Sequence, residues 1–208
     1  VFMSVPAGYE AVSDGVLPKF HRVVDGNSAS VERADWNLVK VDNDDHIVYV
    51  LGDLHLANRT NDLSQFDSFM DELNKQVYYN DSKRQYAITL GDMTWDLYWY
   101  SNAYDLYSYV KTINNGLKGL QVFNTIGNHD HDMNSAGDLT TVDAYKKAVA
   151  PNYYSFNIGK AHVVFMKDMI YEGKSPYGTE GHDYVQGILD HQLEWLKKDL
   201  AAVDDKEN

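Results

Sequence analysis

The chain has no cysteine, which removes disulfides, thiolate metal sites and cysteine nucleophiles while leaving the compartment open. No apolar run approaches the roughly 20 residues that a membrane-spanning helix needs. No basic-then-apolar leader follows Val1, so any export signal is expected to have been removed or to lie upstream. Cations are scarce as well: 18 Lys and Arg face 31 Asp and Glu, for a net charge of -13. That balance argues against nonspecific nucleic-acid binding and against docking on anionic membranes. It also disfavours an anionic substrate unless bound metal reverses the local sign.

What remains is a folded composition. Of 208 residues, 44% are hydrophobic and 24% charged, enough for one good-sized domain with margin for a small extra element. Tyr, at 16, outnumbers Phe, at 7, which suggests wet or half-buried rings. Residues 1–34 read as the tail of an N-terminal β domain or a linker: a short strand ends at Pro6, and a Gly/Pro/Asp/Ser-rich passage follows.

From residue 35 to 208 the pattern is α/β. Apolar runs at 46–51, 86–90 and 120–126 predict buried strands, with an edge strand at 36–41. Between them lie a helix capped by Asp62, with Leu63, Phe66, Phe69, Met70, Leu73 and Val77 at three- and four-residue steps, and an aromatic-rich helix over 100–113. Later come a short helix over 141–149, a hairpin of strands 153–158 and 161–166, and a helix over 190–203 with Leu193, Leu196, Leu200 and Val203 on one face. Strands about 40 residues apart with helices between them imply βαβ units and a largely parallel sheet. In such sheets ligands gather beyond the carboxyl ends of the strands.

The polar motifs all fall at that edge. Asp53 and His55 follow the first strand, Asp92 the second, and Asn128, His129 and Asp130 the third, each behind a glycine (Gly52, Gly91, Gly127) that eases a turn. Two carboxylates brought together without a partner repel, and a divalent ion is the remedy. Oxygen and nitrogen donors without sulfur suit Mn, Fe, Zn or Co better than Ca or Mg. Asp92, between the other motifs, could bridge two ions, and ions about 3.5–4 Å apart can clamp a phosphate and activate water.

Asp53-x-His55, Gly91-Asp92 and Gly127-Asn128-His129-Asp130, in this order and strand context, resemble the first three motifs of the calcineurin-like metallophosphoesterases. The likeness extends from about residue 46 to the end and takes in Tyr153–Phe156 and Gln192–Leu196. It implies a layered α/β/β/α core and metal-dependent hydrolysis of a phosphate mono- or diester by metal-bound hydroxide. By the same resemblance Asp53 and His55 would bind the first of two divalent transition metal ions, Asp92 would bridge and Asn128 would hold the second. His129 would contact the phosphate and protonate the leaving group, with Asp130 orienting its ring. Such a pairing fits the chemistry of imidazole, which titrates near neutrality. Gly91–Asp96 and the Ser4-Val5-Pro6…Pro18-Lys19-Phe20 leader look like exported bacterial members, which carry a β domain in front and often another behind. A periplasmic or secreted protein with further domains is the corresponding expectation.

The family pattern also wants a strand-end His and a later Gly-His-x-His. Gly181-His182-Asp183-Tyr184 matches only superficially, because Tyr184 replaces the second imidazole and the segment comes early. The chain is therefore expected to continue past Asn208. If it does not, a non-catalytic exported module that binds a glycan or protein becomes the better reading. Several residues have ordinary explanations: Gly-Asp is common strand-end turn chemistry, and Tyr100, Tyr104 and Tyr107 at helical spacing suggest packing. Trp95 and Tyr98, just beyond Asp92, are the better candidates for a substrate rim. His131 is expected on a solvated loop, with substrate contact as the alternative, and His162 is read as a core or cross-strand residue. The acidic 204–207 segment reads as a solvated tail.

Overall fold

The computed structural model describes residues 1–27, 32–174 and 182–203. Its first elements are short ribbons. β1 (Tyr9–Ala11) pairs antiparallel with β4 (Leu38–Lys40), and β2 (Ser13–Asp14) turns back on β3 (Leu17–Pro18). Residues of this segment share the core of the following domain. Val5, Ala11, Val16 and Phe20 are buried in it, and Val5 bridges Phe156. The Val122 amide donates to the Val16 carbonyl at 2.8 Å, and Gln121 Nε2 donates to the Ala11 carbonyl at 2.7 Å. The N-terminal segment thus covers one edge of the main sheet, where unpaired backbone groups would otherwise face water.

That sheet has three parallel strands in the order β5 (His46–Leu51), β6 (Arg84–Thr89), β7 (Gln121–Phe123). α1 (Asp62–Tyr79) connects the first two and buries Phe66, Met70, Leu73 and Val77, four of the six apolar positions picked out by periodicity; Phe69 remains 44% exposed. The cap position belongs to Asn61, and Asp62 opens the helix as the ion-pair partner of Arg59. α2 (Leu106–Gly116) connects β6 to β7 and starts later than its aromatic content suggests. Asp105 accepts the Ser108 amide at 2.9 Å, which nucleates the helix there. A 3₁₀ turn, Asp96–Tyr98, occupies part of the preceding stretch. Tyr100 therefore lies outside the helix, and both Tyr100 and Tyr107 are exposed while Tyr104 is buried. Of the three, only Tyr104 packs into the core.

α3 (Asp138–Thr141) and α4 (Asp143–Ala148) replace the single helix over 141–149. β8 (Tyr154–Ile158) and β9 (Ala161–Phe165) form the expected hairpin. Phe156 of β8 stacks on Phe123 of β7, centroids 3.8 Å apart and 4° from parallel, joining the second sheet to the first. A ribbon with no sequence forecast, β10 (Met169–Lys174) with β11 (His182–Gln186), lies between the hairpin and α5 (Asp190–Ala201) in the chain.

α5 is turned differently from its leucine pattern. Gln192 is buried and accepts the Lys167 amide, Trp195 packs on Phe2 and Tyr153, and Asp199 accepts from Ser155 Oγ and from His162 Nε2. Those three residues share one helix face, and Leu193 and Leu200 are left exposed. Specific polar contacts outweigh the apolar periodicity. His162 pairs across the hairpin with Asn157, as a cross-strand residue should. Gly181 and the expected acidic tail at 204–207 lie outside the described residues.

Candidate metal centre

The parallel register brings the three strand ends to one edge, where β5 runs into Gly52-Asp53, β6 toward Gly91-Asp92 and β7 toward Gly127-Asn128. The turns there are strained. Asp53 (φ 60°), His55 (φ 47°) and Asp92 (φ 52°) are three of the five non-glycine residues with positive φ among the described residues. Such conformations cost of order 1–3 kcal/mol each and persist only where surroundings over-determine them. Here the loops tie one another down. The His55 amide donates to the Asp92 carbonyl at 2.8 Å, the Leu56 amide to the Met93 carbonyl at 3.1 Å, and the His129 amide to Asp92 Oδ1 at 2.8 Å.

Two of the three glycines explain the close approach, each in its own way. Gly91 has φ +93°, and a Cβ there would sit 2.7 Å from Gly127 Cα. Gly127 has ordinary backbone angles, but a Cβ on it would lie 2.1 Å from Asp92 Oδ1. It is needed for space, not for a turn.

Side chains from all three loops converge. One ligand atom each from His55, Asp92 and His129 lies within 4.8 Å of the others. His55 Nε2 is 3.1 Å from Asp53 Oδ1 and 3.3 Å from Asp92 Oδ2. The rings of His55 and His129 are 4.8 Å apart. Asp53 stands at the mouth with its side chain 80% exposed, while that of Asp92 is 13% exposed. The Asp53 and Asp92 carboxylates and the His55 imidazole so disposed offer oxygen and nitrogen donors that fit a divalent transition metal, with the His129 ring beside them. Asn128 opens a 3₁₀ turn, Asn128–Asp130, and lines a narrow cleft with His131, Met169, Tyr171 and Tyr184.

The carboxylate on the His129 ring is Asp96, not Asp130. His129 Nδ1 donates to Asp96 Oδ1 at 2.8 Å, and Asp96 is 1% exposed. This sets the tautomer of the ring. Burial pulls the imidazole pKa down, but the hydrogen bond and charge of Asp96, with the charges of Asp92 and Asp130, outweigh it and leave it raised. Sequence reasoning missed Asp96 although it ends the Gly91–Asp96 motif, because spacing alone does not tell which of two nearby carboxylates reaches a ring.

Asp130 has a different task. Fully buried, it accepts the amides of Gly127 (3.0 Å), Thr94 (3.1 Å) and Met93 (3.3 Å) and the Thr94 hydroxyl. It pins the second and third loops together. Burial pushes its carboxyl up to about 7, against the pull of the Gly127 and Thr94 donors and with the Asp92 charge adding to the rise. His131 is likewise not at the surface: it is 2% exposed, with Nδ1 donating to the Gly127 carbonyl at 2.8 Å. Its proximity in sequence to the motif reflects loop bracing.

Trp95 stands beside the cluster, its ring centroid 5.1 Å from that of His55 and 5.6 Å from that of His129, with Tyr98 edge-on to it.

A family model described as calcineurin-like phosphoesterase matches residues 46–207. The chain belongs to that family. No curated protein matches it significantly. As a calcineurin-like phosphoesterase it has the mixed α/β core with a parallel sheet expected of the family, and a His/Asp cluster able to bind metal at the strand ends. No helix among the described residues is long and apolar enough to cross a membrane.

Proposed function

We propose that this edge is the active site of a metal-dependent phosphoesterase that hydrolyses a phosphate mono- or diester. The observation that carries the reading is the convergence of His55, Asp92 and His129 from three strand ends within 4.8 Å, in a family of phosphoesterases. Asp53, His55, Asp92 and Asn128 would hold two divalent ions, drawn from Mn, Fe, Zn or Co. Such ions, when bound, polarise phosphoryl oxygens and lower the pKa of water. They also supply the positive charge that a chain of net charge -13 needs to accept an anionic substrate.

The chain's own residues do the rest. His129, its Nδ1 proton committed to Asp96, presents Nε2 to the ester oxygen. As water adds to phosphorus and the P–O ester bond breaks, that nitrogen delivers a proton and the alcohol leaves neutral. Its raised pKa keeps the proton available near neutral pH. Asp130 keeps the loops registered without entering the reaction. Trp95, beside the two imidazoles, and Tyr98, edge-on to it, are assigned to the substrate's leaving group. Residues 1–34 are read as the end of a front β domain seated on the core. Export to the periplasm or medium, and further domains in the natural chain, rest on the likeness of the 4–20 leader and the 91–96 motif to exported members.

Metal analysis combined with hydrolysis of a generic aryl phosphate tests the reading. Bound transition metal and turnover that vanish together in Asp92→Ala are expected, while His129→Asn keeps the metal and loses turnover. Metal uptake without hydrolysis of any mono- or diester would instead indicate a non-catalytic binding module.

A further inference from the structure

Arg59 is one of only 18 cationic residues, and it sits in the loop between His55 and α1 with its head group engaged on several sides. Its guanidinium carbon lies 4.8 Å from the Trp95 ring centroid and 5.3 Å from that of Tyr98. Those rings are perpendicular, at 89°, so the cation sits in the corner they make. Nε donates to Asp62 Oδ2 at 2.5 Å, and one terminal nitrogen donates to the His55 carbonyl at 3.1 Å. The side chain is 32% exposed, so solvent screens the ion pair in part.

The contact to the His55 carbonyl matters because of what His55 is. It is a non-glycine residue at φ 47°, in a conformation its Cβ resists. The direction of its carbonyl is the part of that conformation that Arg59 holds. The backbone on either side is held by the His55 and Leu56 amides, which donate to Asp92 and Met93. Asn102 Nδ2 adds a bond to the Asn58 carbonyl, so the loop is tied at successive points.

We propose that Arg59 is a positioning residue for the metal centre. By wedging between Trp95 and Tyr98 and gripping the His55 carbonyl, it holds the His55 imidazole in the left-handed turn that aims it at Asp92. The aromatic wall and the first metal-binding loop are thereby one mechanical unit, and a load on Trp95 is felt at His55. The inference rests on reading the cluster as a metal site, but its mechanical half stands without metal. Lysine is not an equivalent: its compact ammonium can pair with Asp62 but cannot lie flat in the aromatic corner and reach the carbonyl with a second donor.

The test uses Arg59→Met and Arg59→Lys in the whole chain, with two readouts. First, amide exchange of the metal-free protein: the His55 and Leu56 amides are expected to exchange about tenfold faster in Arg59→Met, with the β6 amides unchanged. Second, Mn²⁺ titration: affinity is expected to fall about 10–100-fold, the range typical for losing an outer-shell partner of a ligand. Arg59→Lys should recover little of either, and Trp95→Leu should reproduce the exchange effect with Arg59 intact. Unchanged protection at both amides in Arg59→Met overturns the proposal. If Arg59→Met does not fold, Arg59→Lys and Trp95→Leu decide by the same two amides. A wild-type chain that takes up no Mn²⁺ sinks the metal reading, while the exchange result still judges Arg59.

Discussion

The two edges of the parallel sheet offer a direct comparison. The amino edge bears a groove of about 1250 Å³ lined by Glu10, Asp45, Tyr78, Lys83, Arg84 and Lys118 among others. Two of its cations are paired, Lys83 with Asp45 at 2.8 Å and Arg84 with Glu10 at 3.6 Å, and the first pair is largely solvated. The carboxyl edge has a narrow cleft beside Asn128 and gathers Asp53, His55, Asp92 and His129 on backbone turned largely into left-handed angles. Volume accrues wherever a sheet end and its helices diverge. Convergent donors on strained backbone cost stability, and they persist because neighbouring loops over-determine them. Strain and converging donors, rather than size, set the carboxyl edge apart.

Substitutions at the two edges should separate accordingly. The largest effect is expected of Asp92→Ala, which removes the carboxylate shared by His55 and the His129 amide. Metal affinity by titration should drop by more than the about 100-fold typical of an outer-shell loss, with hydrolysis undetectable. Gly127→Ala comes next. Its Cβ would collide with Asp92 at 2.1 Å, so Asp92 must move; about 1–3 kcal/mol of stability by denaturant titration should be lost along with the metal. Asp96→Asn keeps a partner for His129 Nδ1 but removes the charge that raises its pKa. Turnover of an aryl phosphate should fall about 10²–10⁴-fold with metal content unchanged, and the pH above which activity declines should shift lower as His129 gives up its proton earlier.

A pH series sharpens the contrast further. In metal-free protein Asp130, at about 7, and His129, raised above its usual value, both hold protons that the unfolded chain releases earlier. Each therefore contributes stability at low pH that is lost as pH climbs, Asp130 between its unfolded value and about 7, His129 between its unfolded value and its raised one. The melting temperature of metal-free protein should fall between about pH 4 and 7, and Asp130→Asn should flatten that slope. The smallest effect belongs to the amino edge: Lys83→Ala, with its partner Asp45 76% exposed, should change stability by less than about 0.5 kcal/mol and leave metal binding intact.

Much of this architecture was legible from residue order. The run at 46–51 is β5 to the residue, the apolar steps from Phe66 to Val77 are largely the buried face of α1, and the hairpin turns where Gly159 and Lys160 predict. Periodicity reports burial reliably where apolar packing outweighs every other contact. It misled at α5, where Gln192, Trp195 and Asp199 face inward through polar and ring contacts and two leucines do not. It also misled at Tyr100, because one Asp105 cap moves a helix start. Local propensity carries no record of such partners.

The site divides the same way. Sequence alone determined which residues emerge from the three strands, because glycine, carboxylate and imidazole or amide follow the apolar runs in turn and a parallel sheet sends all such ends to one edge. Only the tertiary structure decided what each touches: Asp96 rather than Asp130 on the His129 ring, Asp130 as a buried brace, His131 inside, and Arg59 against Trp95 at the back of His55. Those assignments depend on which of several chemically equivalent groups lies within about 3 Å of a given donor. That distance is set by the packing of loops far apart in the chain, not by the spacing of letters along it.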